Sequence, residues 1–189
     1  MQILMISGSR NREGRTAQAI EAISKGITKA GGNSESIFLT ELNIERCRQC
    51  ESDGWGVCGR EHRCIIEDDF DSVAAKLKAV DAVVFANPVY FGDLSETTRT
   101  FLDRLRRISI IRPGTPPVTG PGCTPTIGIC MAGGRGRNAP NCCSILERIL
   151  QTCGFDVVDM IPISRQNLEF KLPILELTGE WLVTKPSSE

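Results

Sequence analysis

The stretch "GSRNREGRT", residues 8–16, follows an apolar run and combines residue types that bind phosphate. If a helix begins within it, the free backbone N–H groups and the dipole of that helix attract an anion. The hydroxyls of Ser9 and Thr16 can donate to phosphate oxygens, and Arg15 can neutralise their charge. The stretch is not a nucleotide P-loop, because its glycines are one residue too far apart and Arg15 replaces the lysine. Two alternatives remain: a phosphate site, or an ordinary serine- and glycine-rich turn with Thr16 as helix N-cap.

Two later loops carry residues that suit a flat ring system. In the first, Tyr90 and Phe91 follow a proline and precede Gly92, so aromatic faces are available for stacking and the backbone can approach a ligand closely. In the second, "AGGRGRNAP", residues 132–140, the glycines again permit close approach and the arginines add positive charge. Each loop alone is also compatible with a structural role, as an aromatic cap on the core or a flexible surface loop. Together the three loops favour a planar, phosphate-bearing redox cofactor.

Four of the nine cysteines fall within 18 residues, in the segment "CRQCESDGWGVCGREHRC". Clustered cysteines in the reducing cytosol indicate metal or redox chemistry rather than disulfides. Closely spaced thiolates can hold an iron–sulfur cluster or a zinc ion, and a segment without metal is the third alternative. His62, the only histidine, is an alternative ligand, but we interpret it as a solvated loop residue. The candidate ligands are Cys47, Cys50, Cys58 and Cys64, and the other five cysteines receive no role.

Apolar runs alternate with helical patterns, which predicts a single α/β domain over residues 1–189 with a Cys-rich insertion at about 41–66. Five strands that alternate with helices imply a parallel sheet covered on both faces, with ligands beyond the carboxyl ends of the strands. Pro88 is expected to stop the third strand, and Ser95 to cap the next helix. A Pro/Gly-rich loop spans 112–122. The predicted strands are 2–7, 34–40, 81–88, 124–134 and 155–163, and the predicted helices are 16–31, 67–80, 95–107, 140–154 and about 172–184.

The composition argues against several function classes. Hydrophobic residues make up 41% of the chain and charged residues 24%, which is typical of a soluble globular protein. The net charge of −1 gives no overall attraction to nucleic acid or to an anionic membrane, and no run approaches the roughly 20 apolar residues of a membrane span. The N-terminus lacks the pattern of a signal peptide, so we expect a cytoplasmic location. A single histidine argues against a Ser-His-Asp hydrolase.

Three motifs in consistent order, "GSRNREGRT", "NPVYFGDLSETTRTFLDRL" and "GGRGRN", resemble those of the flavodoxin-like NAD(P)H-dependent FMN reductases, over residues 1–163. The resemblance implies a three-layer sandwich with a five-stranded parallel sheet in order 2-1-3-4-5 and FMN where the strand order reverses. It also implies that the first motif holds the FMN phosphate, the second lines the isoalloxazine largely through backbone groups, and the third closes the other edge of the ring. The implied residues are Ser9, Arg10, Arg15 and Thr16 for the phosphate, Pro88, Val89, Tyr90, Phe91 and Gly92 for the ring, and Gly133, Gly134 and Arg135 for its other edge. Arg15 departs from the pattern, since relatives often carry asparagine there.

The cysteine segment resembles that of the iron–sulfur flavoproteins, a branch of the same family. The resemblance implies that Cys47, Cys50, Cys58 and Cys64 ligate a 4Fe-4S cluster. The spacing departs from the usual one, because seven residues separate Cys50 from Cys58 where relatives have two. Glycines within the longer stretch would allow it to fold back and bring Cys58 inward.

The resemblance implies an FMN-dependent NAD(P)H oxidoreductase that passes electrons to a quinone, a flavin, an oxygen species or a redox protein. A homodimer or homotetramer is expected, since this family usually forms them. One alternative is a non-catalytic flavodoxin-like electron carrier, and another is an FMN-binding scaffold whose cysteine segment holds zinc or no metal. Short carriers have a strongly acidic face, so the near-neutral, arginine-rich composition favours an enzyme.

Overall fold

A computed structural model describes residues 1–52, 54–109 and 124–184. The predicted loop at 112–122 and Cys123 lie outside these residues. A short 3-10 turn, Leu39–Glu41, follows the second strand. The elements are β1 (Gln2–Ser7), α1 (Arg15–Lys29), β2 (Asn33–Phe38), α2 (Cys58–Glu61), α3 (Phe70–Leu77), β3 (Ala82–Val89), α4 (Glu96–Ser109), β4 (Pro125–Ala132), α5 (Ala139–Thr152), β5 (Asp156–Ser164) and α6 (Leu168–Thr184).

All five strands pair in parallel, in the order β2-β1-β3-β4-β5, which confirms the predicted flavodoxin-like sheet. Successive side chains of a strand point to opposite faces, so one apolar strand supplies two cores. On β1, Leu4 and Ile6 pack beneath α3, α4 and α5, whereas Ile3 and Met5 pack beneath α1 and α6. Both faces of the sheet are therefore covered, as expected for a three-layer sandwich.

Pro88 does not stop β3, contrary to the sequence prediction. The strand continues to Val89, which pairs with Ala132 of β4, whereas β1 ends where Ser7 pairs with Ala86. The Ala86 carbonyl accepts from Gly8 on the β1 side, and residues two apart on a strand direct their backbone groups to the same side. The missing N–H of Pro88 therefore faces the space beyond the end of β1, where it removes no ladder bond. β3 thus projects past β1 at the carboxyl edge.

Two helices begin three or four residues away from their predicted starts. The helix expected at 67–80 starts only at Phe70, because the residues before it are held by other bonds. The carboxylates of Asp69 and Asp68 accept hydrogen bonds from the backbone N–H groups of Asn43 and Glu45. The last helix starts four residues earlier than predicted, after Asn167 accepts a bond from the Ser164 N–H.

Glycines let α1 and α6 touch backbone to backbone. A Cβ added at Gly26 would lie 1.8 Å from the Glu176 carbonyl oxygen, and one added at Gly179 would lie 2.2 Å from that of Ile23. Gly179 is therefore needed within α6, because the close approach of the two backbones leaves no room for a side chain. Among the described residues, no helix is both long and apolar enough to cross a lipid bilayer.

Candidate functional site

The three loops predicted to bind one cofactor meet at the carboxyl edge of the sheet. The Gly8 carbonyl accepts hydrogen bonds from the Ser95 hydroxyl (3.1 Å) and the Thr97 hydroxyl (3.3 Å), which joins the loop after β1 to the start of α4. The Asn141 side chain donates to the Gly92 carbonyl at 3.2 Å, which joins the loop after β3 to the first turn of α5. The loops are therefore contiguous around the point where β1 ends and the strand order reverses, the place where open α/β sheets bind ligands.

The loop after β1 is built around its own polar side chains. The Ser9 hydroxyl accepts from the Asn11 N–H at 3.2 Å, and the Asn11 side chain accepts from the Glu13 N–H at 2.8 Å. Helix α1 begins at Arg15 with Gly14 as N-cap, so no side chain caps it. In addition, its first turn holds no acidic residue. The N-terminal N–H groups of α1 are thus available to an anion.

The three arginines of this loop have different environments. Arg10 lies 3.6 Å from the Glu96 carboxylate, with both side chains largely exposed. Arg12 contacts the Glu41 carboxylate and lies 4.5 Å over the Phe38 ring, and the hydrogen bond with Glu41 raises the pKa of Arg12. Arg15 is exposed, and no carboxylate of the described residues lies within ion-pair distance of it. Arg15 is therefore the cation of this loop that remains available to a bound phosphate.

The loop after β3 is a tight turn that presents two aromatic side chains to solvent. Tyr90 and Asp93 exchange both backbone hydrogen bonds, at 3.1 and 2.9 Å. The two residues between them have positive φ, +53° at Phe91 and +83° at Gly92, as in a type I′ turn. Phe91 is fully exposed and Tyr90 about half exposed. An ion pair of 2.6 Å between Arg99 and Asp93 ties the turn to α4.

The loop after β4 leaves two glycines open to approach. A Cβ at Gly133 or Gly134 would meet no atom within 4 Å, and both glycines and Arg135 are exposed. Gly136 has a different role, because a Cβ there would lie 2.2 Å from the Ser164 Cβ. The surface formed by Gly133 and Gly134 therefore permits close approach of a ligand, while Gly136 packs the loop against β5.

Asn87, which the sequence analysis missed, holds the residue before α4 against the end of β3. Its side chain is fully buried, accepts from the Ser95 N–H at 3.0 Å and donates to the Pro88 carbonyl at 2.9 Å. Ser95, the predicted N-cap of α4, directly precedes that helix, and its hydroxyl oxygen accepts a hydrogen bond from the Thr98 N–H. A polar residue inside the apolar run of β3 was the available signal for Asn87, because a buried amide needs partners.

The four clustered cysteines face a single cavity beside α4. Cys58 begins the short helix α2, and its thiol donates to the Trp55 carbonyl. Burial raises the pKa of Cys58, an effect that the charge of Arg107 opposes. Among the described residues, no three His, Cys, Asp or Glu side chains stand at metal-ligand spacing. The cavity is lined by Cys47, Cys50, Cys58, Cys64, Trp55, Ile65, Ile66, Ile108, Arg104 and Arg107, with others.

Backbone conformation singles out the same two regions. Within the described chain, four residues other than glycine have positive φ: three lie in the cysteine segment, and the fourth is Phe91. A side chain at positive φ is strained, and such residues concentrate at functional sites. The three in the segment are Gln49 (+50°), Glu51 (+63°) and His62 (+53°).

Helix α4 connects the two regions. Its first residues contact the loop after β1, and Arg104 and Arg107 line the cysteine cavity. At 1.5 Å per residue, Ser95 and Arg104 are about 14 Å apart along the helix. Four residues on the inner face of α4 are buried: Thr98, Phe101, Leu102 and Leu105.

The sequence matches the family of NADPH-dependent FMN reductases over residues 1–160. The chain therefore belongs to this family, as its motifs and fold indicated.

Individual relatives agree with this placement. An iron–sulfur flavoprotein of Methanocaldococcus jannaschii is 32% identical over 110 residues, which cover 58% of this chain and 54% of the relative. An iron–sulfur flavoprotein of Archaeoglobus fulgidus is 31% identical over 106 residues, 56% of this chain and 49% of the relative. The chain spans about half the length of the curated relatives it matches. Among solved structures, an NAD(P)H:quinone oxidoreductase from Methanothermobacter marburgensis superposes with a TM-score of 0.73 at 18% identity, covering 100% of this chain and 98% of that one. This likeness confirms the fold.

Proposed function

We propose that this chain binds FMN at the three loops and acts as an NAD(P)H-dependent oxidoreductase. The observation that carries the proposal is the meeting of the three loops at the strand-order reversal, in a chain of the FMN reductase family. Bound FMN supplies hydride acceptance from NAD(P)H and release of electrons one at a time. The protein supplies binding, orientation and electrostatics, and no side-chain acid or base is required for hydride transfer.

The phosphate of FMN would bind at the start of α1. The uncapped N–H groups of the first turn, the Thr16 hydroxyl and the guanidinium of Arg15 are donors of the kind that phosphate oxygens need. Ser9 contributes mainly by shaping the loop, because its hydroxyl already bonds Asn11. Arg10, which lies beside Glu96, would add a positive charge at the periphery of the phosphate site.

The isoalloxazine would lie along the end of β3 and its turn. Pro88 and Val89 form the part of β3 that projects past β1, and the exposed rings of Tyr90 and Phe91 follow. The turn needs glycine at position 92, because the backbone there has a positive φ. The opposite edge of the ring would face Gly133, Gly134 and Arg135, where close approach of a flat molecule is possible.

The residues of the cysteine cavity fit a 4Fe-4S cluster in donor type and charge. Four thiols on one cavity are the ligand set of such a cluster, and the walls include apolar side chains and three arginines that balance anionic sulfur. The names of the relatives favour iron over zinc. Convergence of Cys47, Cys50, Cys58 and Cys64 on a cluster would require the segment to move, and Gly54 and Gly56 at positive φ are the residues that permit it.

The electron acceptor would be a small molecule, such as a quinone, a flavin or an oxygen species, or a redox protein. The abundance of unpaired cysteines is compatible with the reducing cytoplasm, which remains the predicted location. Steady-state oxidation of NADH or NADPH by the FMN-loaded protein tests the enzyme proposal. Turnover with at least one acceptor supports it, and a loaded protein without turnover would favour the electron carrier or scaffold.

Replacing Arg15 with glutamate is expected to weaken FMN binding about tenfold or more, because a phosphate-neutralising charge becomes a repelling one. The dissociation constant is measured by quenching of FMN fluorescence. Arg148→Glu makes the same charge change on an exposed position of α5, about two and a half turns from its N-terminus, and is expected to leave binding unchanged. Equal affinity in both variants would remove Arg15 from the site.

The predicted homodimer or homotetramer has a candidate surface on α6. Phe170, Ile174, Leu177 and Trp181 are exposed and recur at helical spacing, so they form one apolar stripe. Leu177→Glu places a charge in its centre and is expected to reduce the solution mass to that of a monomer, as measured by light scattering. Gln18→Glu, exposed on α1, serves as the control. An assembled Leu177→Glu protein would show that subunits meet elsewhere.

A further inference from the structure

Arg104 is a buried charge at the base of the cysteine segment. Its side chain is 1% exposed and pairs at 2.5 Å with the carboxylate of Asp68, whose side chain is fully buried. The guanidinium also lies 4.2 Å over the Phe70 ring. Burying such a pair is costly unless its remaining hydrogen-bonding groups are satisfied, so the position of Arg104 requires an explanation.

Two further donors of Arg104 hold the two ends of the cysteine segment together. Nη1 donates to the Glu45 carbonyl at 3.1 Å, two residues before Cys47. Nη2 donates to the Ile66 carbonyl at 3.4 Å, two residues after Cys64. The Asp68 carboxylate in turn accepts from the Glu45 N–H at 2.7 Å. The ion pair between Arg104 of α4 and Asp68, just before α3, therefore holds together the two ends of the segment that carries all four cysteines.

One donor of Arg104, its Nε–H, has no acceptor among the described residues. Nε is buried, and no group in the described part of the chain accepts its hydrogen bond. Arg104 lines the cavity together with the four cysteines, and Cys64 lies beside the guanidinium. A buried, unpaired donor on a residue that lines the same cavity as four thiols indicates a partner that arrives with the ligand.

We propose that Arg104 is a positioning residue of the cysteine site: it closes the segment at both ends and keeps one N–H for the thiolate sulfurs of a bound cluster. The inference rests on the proposed cluster. Hydrogen bonds and positive charge near thiolate ligands favour the reduced, more negative state and so raise the reduction potential. Lysine cannot replace this function, because one ammonium cannot donate in the separate directions that the guanidinium serves.

The test compares Arg104→Lys with Arg106→Lys, a neighbour on α4 that does not line the cavity. After anaerobic reconstitution with iron and sulfide, release of iron to a chelator is expected to be about tenfold faster in Arg104→Lys than in the control. Its reduction midpoint potential, measured by redox titration with electron paramagnetic resonance, is expected to be lower, with FMN affinity unchanged. Equal release rates and potentials in the two variants would overturn the role toward the cluster.

A second measurement needs no cluster. Hydrogen exchange of residues 45–66 in the cluster-free chain is expected to be about tenfold faster in Arg104→Lys than in Arg106→Lys, with β1 and β3 unchanged. The double variant Arg104→Gln with Asp68→Asn, which leaves no unpaired charge, is expected to show the same local loss in a folded protein. Wild-type protein that takes up no iron would refute the proposed cluster. Unaltered exchange of residues 45–66 in both Arg104→Lys and the double variant would refute the role of Arg104 in closing the segment.

Discussion

Replacing Gly8 with alanine is expected to weaken FMN binding by about 100-fold or more. The added Cβ would lie 1.9 Å from the Thr98 hydroxyl oxygen and 2.6 Å from the Ser95 hydroxyl oxygen. Both side chains are buried at the start of α4 and Ser95 bonds the Gly8 carbonyl, so neither can withdraw cheaply. The loop after β1 must therefore separate from α4, which opens the proposed site. Fluorescence titration with FMN measures the loss.

Gly14→Ala is the matched control in the same loop. A Cβ there would approach Asn11 only to 3.2 Å, and Gly14 has a φ of −76°, which alanine adopts freely. Binding is expected to fall several-fold at most. Adding Thr98→Ala to Gly8→Ala removes the closest clash and is expected to restore part of the affinity. Full affinity in Gly8→Ala alone would show that the join between this loop and α4 does not form the site.

Replacing Cys47 with serine is expected to abolish the cluster and to leave FMN binding intact. The reconstituted wild-type chain should contain about four iron atoms, and a site that loses one of its four thiolates should retain few or none. FMN binding should persist, because the cysteine cavity lies at the other end of α4 from the loop after β1. Iron and sulfide analysis, with flavin released by denaturation, gives both stoichiometries.

Cys153→Ala provides the control for loss of a thiol. Cys153 is buried at the end of α5, outside the cavity, where burial raises its pKa to about 12. Its iron content is expected to equal that of the wild type. Full iron in Cys47→Ser would remove Cys47 from the ligand set, and zinc in place of iron in the wild type would favour the scaffold alternative.

The sheet could be predicted because each strand is a short apolar run between helical patterns. The order of strands came from the family resemblance, and the structure confirms it. The behaviour of Pro88 could not be predicted, because its tolerance depends on β1 ending two residues earlier in register. A local rule about proline therefore failed for a tertiary reason.

Arg104 escaped prediction for the same kind of reason. Arg104 falls three residues after Phe101 and four before Ile108, on the apolar face of α4, but a charged residue is usually assigned to the surface. Its burial depends on Asp68, which lies far away in sequence. The cysteine spacing identified four residues that share a cavity. The path of the segment could not be predicted, because three of its residues with positive φ, Gln49, Glu51 and His62, are not glycine and so gave no signal in the sequence.

The most direct test of the central claim is an anaerobic titration of the purified full chain with FMN, followed by absorption and fluorescence. The account predicts saturation at one FMN per chain, with a protein-bound flavin spectrum that NADH or NADPH bleaches. A folded, colourless protein that leaves the absorption and fluorescence of added FMN unchanged at every concentration would contradict it.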